Sequence, residues 1–386
     1  MNILLTTETY FPWITGVSVS TDNIAKYLAS KGHKITLIYP KQQVKGIVPR
    51  HKNVNLVEIP SFPSNFYNNA VSANIPAALR VIKNLMKEEK FDVIHIQEPG
   101  LVGILTLFQA KKHKIPVVGA LHFIPEQIDR VLWGSFERVL TPIINVYMKY
   151  IYGKYDAVIT PSHFFKKYLR GIGVKTPISV VSNGADTEKF HPGDLNEKIR
   201  KKLKFGKSDF VFFFIGRLDR DKNVETLVRA MPYTDSKIKL LIVGKGTEKT
   251  YLESLAKKLK VSEKIIWIPY ISDTEMADYY HAANAFSIMS PYEGQSIVAL
   301  QAVATGLPII AANAGALPEL CHDGENGFLV EAYDYQALAV KMNEIARNKG
   351  LLRKFATESR KISLLHDRLK ILRKLELIYG KLSKSG

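Results

Sequence analysis

The sequence predicts an α/β protein of two domains, each with a parallel β-sheet that helices cover on both faces. Short apolar runs alternate with longer helix-compatible stretches from end to end of the 386 residues, which is the pattern of such sheets. A chain of this length also exceeds what one hydrophobic core usually organises. A stretch of turn residues and lysines, 183–204, divides the chain near its middle.

Two series of apolar runs supply the strand candidates, one on either side of that stretch. The first series is 2–6, 35–38, 93–95, 117–121, 157–160 and 178–181, and the second is 211–215, 240–243, 265–268, 285–289, 308–311 and 328–330. We therefore expect an N-terminal domain over 1–190 and a C-terminal domain over 191–362. The segment 363–386 has apolar residues at helical spacing from 363 to 382, so it should form a helix that packs back toward the N-terminal domain.

The charge balance is strongly basic. Lys and Arg number 54 against 36 Asp and Glu, a net charge of +18, which favours anionic partners such as nucleotide phosphates or acidic lipid surfaces. Nucleic acid is not expected as a partner, because the sequence has neither zinc-type Cys/His spacing nor an aromatic and basic RNA-binding signature.

Three further features indicate a cytoplasmic protein. No apolar run reaches the roughly 18 residues that a bilayer-spanning helix needs. The opening residues, MNILLTTETY, lack the basic and then apolar pattern of a signal peptide. The single cysteine, Cys321, has no partner for an internal disulfide, which agrees with a reducing compartment.

The first motif that indicates chemistry is a buried strand followed by two cations. In FFFIGRLDRDKN, residues 212–223, the strand runs into Gly216 and Arg217, and Lys222 follows five positions after the arginine. Open α/β sheets bind ligands at the carboxyl ends of their strands. Arg can bind two phosphate oxygens while Lys acts as a mobile point charge, so the pair suits a diphosphate leaving group. The alternative is two solvated surface cations.

The second motif is a strand that ends in a Pro-Tyr-Glu-Gly turn before a helix, SIMSPYEGQSIVALQAVATG at 287–306. The backbone amides of Gly294, Gln295 and Ser296 would face outward at the helix N-terminus, where a phosphate binds readily. Glu293, just before them, could accept hydrogen bonds from sugar hydroxyls. The alternative is an acid stabilised by the helix dipole.

In order and spacing these motifs resemble the retaining glycosyltransferases of family 4, which have the GT-B fold. The likeness extends over nearly the whole chain. It includes TETYFPWITGVSVSTDNIAKYLASKGHKITLI at 7–38, ITPS at 159–162, SNGAD at 182–186 and AANAGALPELCHDGENGFLV at 311–330. The resemblance implies two Rossmann-like domains whose parallel sheets face each other across a cleft.

Roles for individual residues follow from the same resemblance. Arg217 and Lys222 would neutralise the diphosphate of the donor, and Glu293 would hold the transferred sugar. Gly16 matches a glycine of the first loop, where the backbone comes close to the donor phosphates and a Cβ would obstruct them. His122 matches a histidine that lines the sugar site from the N-terminal domain.

One position departs from the family pattern. A second glutamate usually follows the first by eight residues and binds the ribose of the nucleotide, and here that position is Gln301. An amide still donates to and accepts from hydroxyls, although without the stronger charge-assisted bond, so donor affinity and nucleotide choice are affected more than catalysis. His95 and Glu98, at the end of another strand, are candidates for contact with the acceptor, or else form a satisfied polar cluster at the strand end.

The mechanism that the resemblance implies is transfer with retention of anomeric configuration. The acceptor hydroxyl would attack from the face that the nucleotide leaves, and the departing phosphate oxygen would take its proton. We expect no cofactor beyond the nucleotide-sugar donor. We expect no metal either, because Arg217 and Lys222 supply the positive charge.

The segment 122–156 indicates a membrane lipid as acceptor. It combines large apolar and aromatic residues with Arg130, Arg138, Lys149 and Lys154, and more basic residues follow at Lys166, Lys167, Arg170 and Lys175. Such a surface could lie on an anionic leaflet. Its HFIPEQ stretch resembles a loop of bacterial diacylglycerol glucosyltransferases, which implies UDP-glucose as donor, diacylglycerol as acceptor and a peripheral position at the inner face of the cell membrane. The alternative is a core helix with a solvated basic face.

Other functions stay open at this point. The donor could be a UDP- or GDP-sugar and the acceptor a soluble sugar or polysaccharide. A nucleotide-sugar epimerase would need paired acid and base groups that we do not find. A non-catalytic partner that binds nucleotide sugars is suggested only by Gln301.

Overall fold

The computed structural model describes residues 1–64, 70–123 and 137–384, with their side chains except at 137–140. By contacts between residues the chain divides into two compact units. Unit 1 is Met1–Ser182 together with Lys370–Gly386, and unit 2 is Asn183–Leu369. Each unit has its own parallel sheet, so the predicted α/β class is confirmed.

The strands are β1 Asn2–Thr6, β2 Lys34–Pro40, β3 Val54–Ile59, β4 Ser61–Pro63, β5 Val71–Ala73, β6 Val93–Ile96, β7 Val117–Ala120, β8 Ala157–Thr160, β9 Ile178–Val180, β10 Phe210–Ile215, β11 Ile238–Val243, β12 Ile265–Ile268, β13 Ala285–Ile288, β14 Ile309–Ala312 and β15 Gly327–Val330. Every predicted strand coincides with one of these to within two residues at either end. The sequence analysis missed β3, β4 and β5.

The α-helices are α1 Gly16–Ser30, α2 Ile75–Glu88, α3 Leu101–Lys112, α4 Glu137–Tyr152, α5 His163–Gly171, α6 Glu197–Lys202, α7 Val224–Ala230, α8 Lys249–Lys258, α9 Met276–His281, α10 Ile297–Ala304, α11 Tyr335–Arg347, α12 Lys349–Leu365 and α13 Arg368–Ser383. The predicted single helix over 363–382 is wrong at its start, because α12 ends at Leu365 and α13 begins only at Arg368. Within this described part of the chain, no helix has both the length and the apolar character that crossing a bilayer requires.

Unit 1 contains a seven-stranded sheet in the order β3-β2-β1-β6-β7-β8-β9, all parallel, and a separate antiparallel hairpin of β4 and β5. One apolar core packs α2 to α5 on the sheet, and the other packs α1 and α13 on it. From α13, Leu372, Leu375 and Tyr379 enter the second core, which explains why the last helix belongs to this unit.

Unit 2 contains a six-stranded parallel sheet in the order β12-β11-β10-β13-β14-β15. Its central strand β10, with the sequence FVFFFI, is buried along nearly its whole length, as a strand covered by helices on both faces should be. A single apolar core extends through the unit from Ala185 to Phe355.

Candidate active site

In unit 2 the strand order reverses between β10 and β13. The chain continues from β10 to β11 on one side, whereas β13 lies on the other side of β10. Such a switch point leaves a crevice at the carboxyl ends of the two strands, where ligands of open α/β sheets bind. Arg217 and Lys222 follow β10, and Glu293 follows β13. The topology therefore brings both sequence motifs to one place.

Lys222 and Glu293 form an ion pair at this switch point. The Nζ atom lies 2.7 Å from Oε1 of Glu293 and 3.7 Å from the carboxylate of Asp221. Only 21% of the lysine side chain and 11% of the glutamate side chain are exposed. Burial acts to lower the pKa of Lys222, but the two carboxylates outweigh burial and the pKa is raised. The ammonium group is therefore charged at neutral pH, with three protons to donate.

Arg217 joins the same cluster through its carboxylate neighbours. Its guanidinium contacts Asp219, and a second nitrogen lies 2.9 Å from Asp221. Asp219 in turn accepts hydrogen bonds from the backbone amide and the hydroxyl of Thr247, at 2.9 and 3.1 Å. Because 48% of the Arg217 side chain is exposed, a phosphate could replace these carboxylates as its partner.

A second loop, which follows β11, packs on the turn that carries Arg217, and it was not among the predicted site residues. A Cβ on Gly244 would lie 1.9 Å from the carbonyl oxygen of Gly216, and one on Gly246 would lie 2.3 Å from that of Leu218. Only glycine permits two backbones to come this close. The available signal was VGKG at 243–246, since glycine at the end of a strand often marks such an approach.

Asn223 holds Lys222 in place and was also missed. Its backbone is left-handed, with φ 48° and ψ 42°, a conformation that asparagine tolerates better than most residues. Its buried side-chain nitrogen donates to the carbonyl oxygen of Met289, at 2.9 Å, and to that of Ala332. Asn223 thereby links the turn of Lys222 to the end of β13.

Gly315 supports the backbone of Glu293, as Asn223 supports the turn of Lys222. It lies in the loop after β14 with φ +58°, and a Cβ there would lie 2.5 Å from the carbonyl oxygen of Glu293. The next amide, that of Ala316, donates to the same oxygen at 2.8 Å. The glutamate backbone therefore rests on a loop whose sequence allows no side chain at this point.

The turn after Glu293 leads directly into α10. Gly294, Gln295 and Ser296 are buried, and Ser296 caps the helix by accepting a hydrogen bond from the amide of Ala299 at 3.3 Å. The side-chain oxygen of Gln295 accepts a hydrogen bond from the backbone amide of Asn183, at 2.7 Å. The helix N-terminus thus lies where the sequence predicts it, while phosphate binding there stays a prediction.

Gln301, the departure from the family pattern, lies on α10. Its Oε1 accepts a hydrogen bond from the buried hydroxyl of Tyr280, at 3.0 Å. The same hydroxyl lies 2.9 Å from the carbonyl oxygen of Val298. A contact from Gln301 to a nucleotide stays a prediction.

In unit 1 the strand order reverses between β1 and β6, and Glu98 follows β6. Its Oε2 accepts hydrogen bonds from the hydroxyl of Thr7 and from the backbone amides of Glu8 and Thr9, at 2.9, 2.8 and 3.0 Å. Glu98 therefore fixes the loop after β1, and these contacts support the satisfied polar cluster over direct contact with an acceptor.

His95, Gln97 and His122 form a second polar cluster in unit 1, together with Tyr379 of α13. His95 is fully buried and contacts the Tyr379 hydroxyl, so these contacts support a satisfied polar cluster rather than direct contact with an acceptor. Nε2 of His122 lies 2.9 Å from Oε1 of Gln97. Burial lowers the pKa of His122 to about 4 and that of His95 to about 3, so both imidazoles are neutral near pH 7.

Gly16 is exposed and is the first residue of α1. The preceding Thr15 caps the helix, since its hydroxyl accepts from the amide of Ser18 while the Ser18 hydroxyl accepts from the amide of Thr15, at 3.0 and 2.7 Å. The predicted glycine therefore lies at a helix N-terminus, and its approach to donor phosphates stays a prediction.

Glu8 leads to a pH-dependent prediction. Burial and the neighbouring Glu98 raise its pKa to about 8 from 4.5, so the folded chain keeps a proton that the unfolded chain loses, and stability should fall as pH rises from 4.5 to 8. Glu8→Gln should therefore raise the unfolding temperature by about 3 °C or more at pH 8 and change it little at pH 4.5. Thermal unfolding at the two pH values measures this.

The exposed Glu88, at the end of α2, provides the control. Glu88→Gln should leave the unfolding temperature nearly unchanged at both pH values. An equal shift for Glu8→Gln at pH 4.5 and pH 8 would contradict a protonated Glu8.

Helix α4 carries an exposed apolar stripe. Ile143, Val146, Tyr147 and Tyr150 are 61%, 70%, 36% and 55% exposed, and their spacing places them on one face of the helix. On α5 the exposed basic residues are Lys167 and Arg170, and the exposed Lys175 lies just beyond that helix. Of the basic residues predicted nearby, Arg130 and the side chain of Arg138 lie outside the described residues, as does the HFIPEQ loop beyond Phe123.

Two family models match the chain in succession. The model described as Glycosyltransferase Family 4 matches residues 14–189, and the model described as Glycosyl transferases group 1 matches residues 196–362. Together they take in most of the two sheets. The ion pair of Lys222 and Glu293 lies within the second match.

The names of individual relatives differ in the substrates that they give. The chain is 27% identical to an alpha-monoglucosyldiacylglycerol synthase of Streptococcus pneumoniae over 85% of this chain and 75% of that protein. It is 25% identical to a GDP-mannose-dependent alpha-mannosyltransferase of Corynebacterium glutamicum, over 87% of this chain and 78% of that one. The crystal structure of HepE from Anabaena in complex with UDP-glucose superimposes with a TM-score of 0.78 at 18% identity, over 99% of this chain and 100% of that one.

Proposed function

Since this chain belongs to the family 4 glycosyltransferases with the GT-B fold, we propose that it transfers a hexose, most simply glucose, from a UDP-sugar to a hydroxyl of a membrane lipid such as diacylglycerol. The alpha-monoglucosyldiacylglycerol synthase among its relatives and the UDP-glucose complex of HepE support this choice of substrates. The mannosyltransferase relative favours a second candidate, transfer from a GDP-sugar.

The observation that carries the proposal is the charge cluster at the switch point of unit 2. Lys222 is largely shielded from solvent and charged, Arg217 is half exposed beside it, and Glu293 lies 2.7 Å from the ammonium group. A leaving diphosphate gains negative charge, which the two cations can stabilise once it replaces carboxylates as a partner of Arg217. The carboxylate of Glu293 can accept hydrogen bonds from the hydroxyls of the sugar while Lys222 keeps it in position.

The transfer step balances without a protein nucleophile. The bond between the anomeric carbon and the β-phosphate oxygen breaks, and UDP leaves with the electron pair. The acceptor oxygen bonds to the same carbon on the same face, and its proton moves to the departing phosphate oxygen. An α-linked donor therefore gives an α-linked product. Because Arg217 and Lys222 provide the charge, we expect transfer to continue in EDTA.

The exposed stripe on α4 supports a lipid acceptor. Apolar and aromatic side chains with basic neighbours are typical of surfaces that lie on an anionic leaflet, and the net charge of +18 acts in the same direction. The N-terminal end of α4 is on the edge of the unit 1 sheet where Glu98 and His122 also lie, since helices that follow parallel strands begin at the carboxyl ends of those strands. Tyr147 of the stripe donates to the carbonyl oxygen of Pro99, the residue after Glu98, so a lipid at the stripe would be near Glu98.

Vesicle binding tests the membrane part of the proposal. At low salt the protein should sediment with vesicles of phosphatidylglycerol and remain in solution with phosphatidylcholine. Val146→Asp should reduce binding by about tenfold, because it places a charge on the apolar face and repels the leaflet. The matched control is Val340→Asp on α11 of unit 2, where the valine is 61% exposed. Equal binding of the two variants would argue against the stripe.

A screen of donors against acceptors tests the reaction itself. Labelled UDP-glucose, UDP-galactose and GDP-mannose are each incubated with diacylglycerol, a lipid extract and free sugars. Label in the glycolipid fraction with UDP-glucose is the expected result. Label only in soluble sugar or only from GDP-mannose supports the second candidate, interconversion of the donor indicates an epimerase, and binding without turnover indicates a non-catalytic partner.

A further inference from the structure

A buried chain of hydrogen bonds connects α13 to His122 inside unit 1. The Tyr379 hydroxyl contacts Nδ1 of His95, the side-chain nitrogen of Gln97 lies 3.1 Å from the same Nδ1, and Oε1 of Gln97 lies 2.9 Å from Nε2 of His122. Tyr379, His95 and Gln97 are all fully buried. The chain ends at His122, which is partly exposed.

The contacts assign the protons along this chain. The side-chain nitrogen of Gln97 only donates, and it lies 3.1 Å from Nδ1 of His95 and 3.5 Å from Nε2, so the nearer Nδ1 accepts and the ring carries its proton on Nε2. The Tyr379 hydroxyl then donates to the same lone pair of Nδ1. With its nitrogen directed at His95, Gln97 presents its oxygen to His122. A carbonyl oxygen only accepts, so His122 carries its proton on Nε2 and leaves Nδ1 as an acceptor.

We propose that Tyr379 is a positioning residue that fixes the orientation and tautomer of His122 through His95 and Gln97. The inference rests on the proposed function and on the role that the family resemblance implies for His122, which is to line the sugar site. Without the Tyr379 hydroxyl, His95 loses a donor, and Gln97 can rotate so that its nitrogen rather than its oxygen faces His122. When Gln97 is rotated, His122 must take its other tautomer, with the proton on Nδ1. The Nδ1 atom then donates a hydrogen bond where it previously accepted one.

The experiment compares two tyrosines of the contact between α13 and the rest of unit 1. Tyr379→Phe keeps the ring in the core and removes only the hydroxyl. Tyr27→Phe removes a hydroxyl that lies 3.1 Å from Glu376 on the same helix but outside the chain of contacts. Transfer should fall by about tenfold in Tyr379→Phe, less than the roughly 10²-fold that a fully misplaced group can cost, and stay close to wild type in Tyr27→Phe.

A double-mutant cycle separates positioning from a general loss of structure. If Tyr379 acts through His122, the Tyr379→Phe change should lower the rate in the wild-type background and have no further effect in His122→Ala. Equal losses in both backgrounds would mean that Tyr379 only supports the helix, and would overturn the proposal.

Nitrogen NMR of the histidine side chains gives a reading that does not depend on turnover. Wild type and Tyr27→Phe should show His122 as the single Nε2–H tautomer, and Tyr379→Phe should show a mixture. An unchanged His122 spectrum in Tyr379→Phe would refute the inference even if transfer by this variant falls as expected. A protein with the expected spectra but no transfer from any donor would instead refute the proposed function.

Discussion

Alanine in place of Lys222 is expected to lower the rate of sugar transfer by about 10²-fold or more, the scale of losing one preorganised electrostatic group. The buried ammonium lies 2.7 Å from Glu293 and is the charge that the departing diphosphate would meet. Steady-state rates with UDP-glucose and the best acceptor of the screen measure the effect. Because the change leaves the buried Glu293 without its partner, thermal unfolding must be measured alongside.

Arg217→Ala separates a loss of catalysis from a loss of stability. The side chain is 48% exposed, so its loss should cost little stability while lowering transfer by a similar factor of about 10². The matched control is Arg229→Ala, which breaks the pair with Glu225 on α7 of the same unit and should leave the rate unchanged. Near-normal transfer by both Lys222→Ala and Arg217→Ala would refute the role of the charge cluster.

Gly315→Ala should lower transfer by at least about tenfold, although it removes no charged side chain. An added Cβ would lie 2.5 Å from the carbonyl oxygen of Glu293, so the loop and the glutamate backbone must move apart. The positive φ adds strain of about 1–2 kcal/mol for a residue with a side chain. Glu293 would then be displaced from the sugar and from Lys222. Rates and unfolding temperatures of the variant measure both effects.

Gly324→Ala separates displacement from backbone strain. Gly324 has a positive φ of +73°, but a Cβ there would meet nothing within 4 Å. This variant should therefore lose similar stability from the φ strain and keep its activity. Equal losses of activity at the two glycines would show that the position of Glu293 is not what Gly315 controls.

Much of the fold follows from local sequence, because buried parallel strands are continuous apolar runs that stand out between helices. The strands that were missed are those with another pattern. The strand β3, VNLVEI, lies at the edge of the sheet and has two polar residues that interrupt its apolar run, and β4 and β5 are only three residues long. The break between α12 and α13 was missed because the leucine spacing continues through it.

The residues of the candidate site also divide into those that the sequence predicts and those that it does not. Arg217, Lys222 and Glu293 could be predicted because each lies in the loop that follows a buried strand. Gly315 and Asn223 could not, since their importance depends on atoms more than twenty residues distant in the chain. Tyr379 lies farther still, 284 positions from the histidine that it contacts.

The membership of α13 in unit 1 constrains how this chain can be made and cut. The ribosome completes all of unit 2 before it adds the residues from Lys370 onward. Until then, the apolar pocket for Leu372, Leu375 and Tyr379 is open to water or to a chaperone. A clone that stops at the end of the first Rossmann-like half would carry the same open pocket, so an isolated N-terminal fragment needs this last helix supplied, either fused or as a separate peptide.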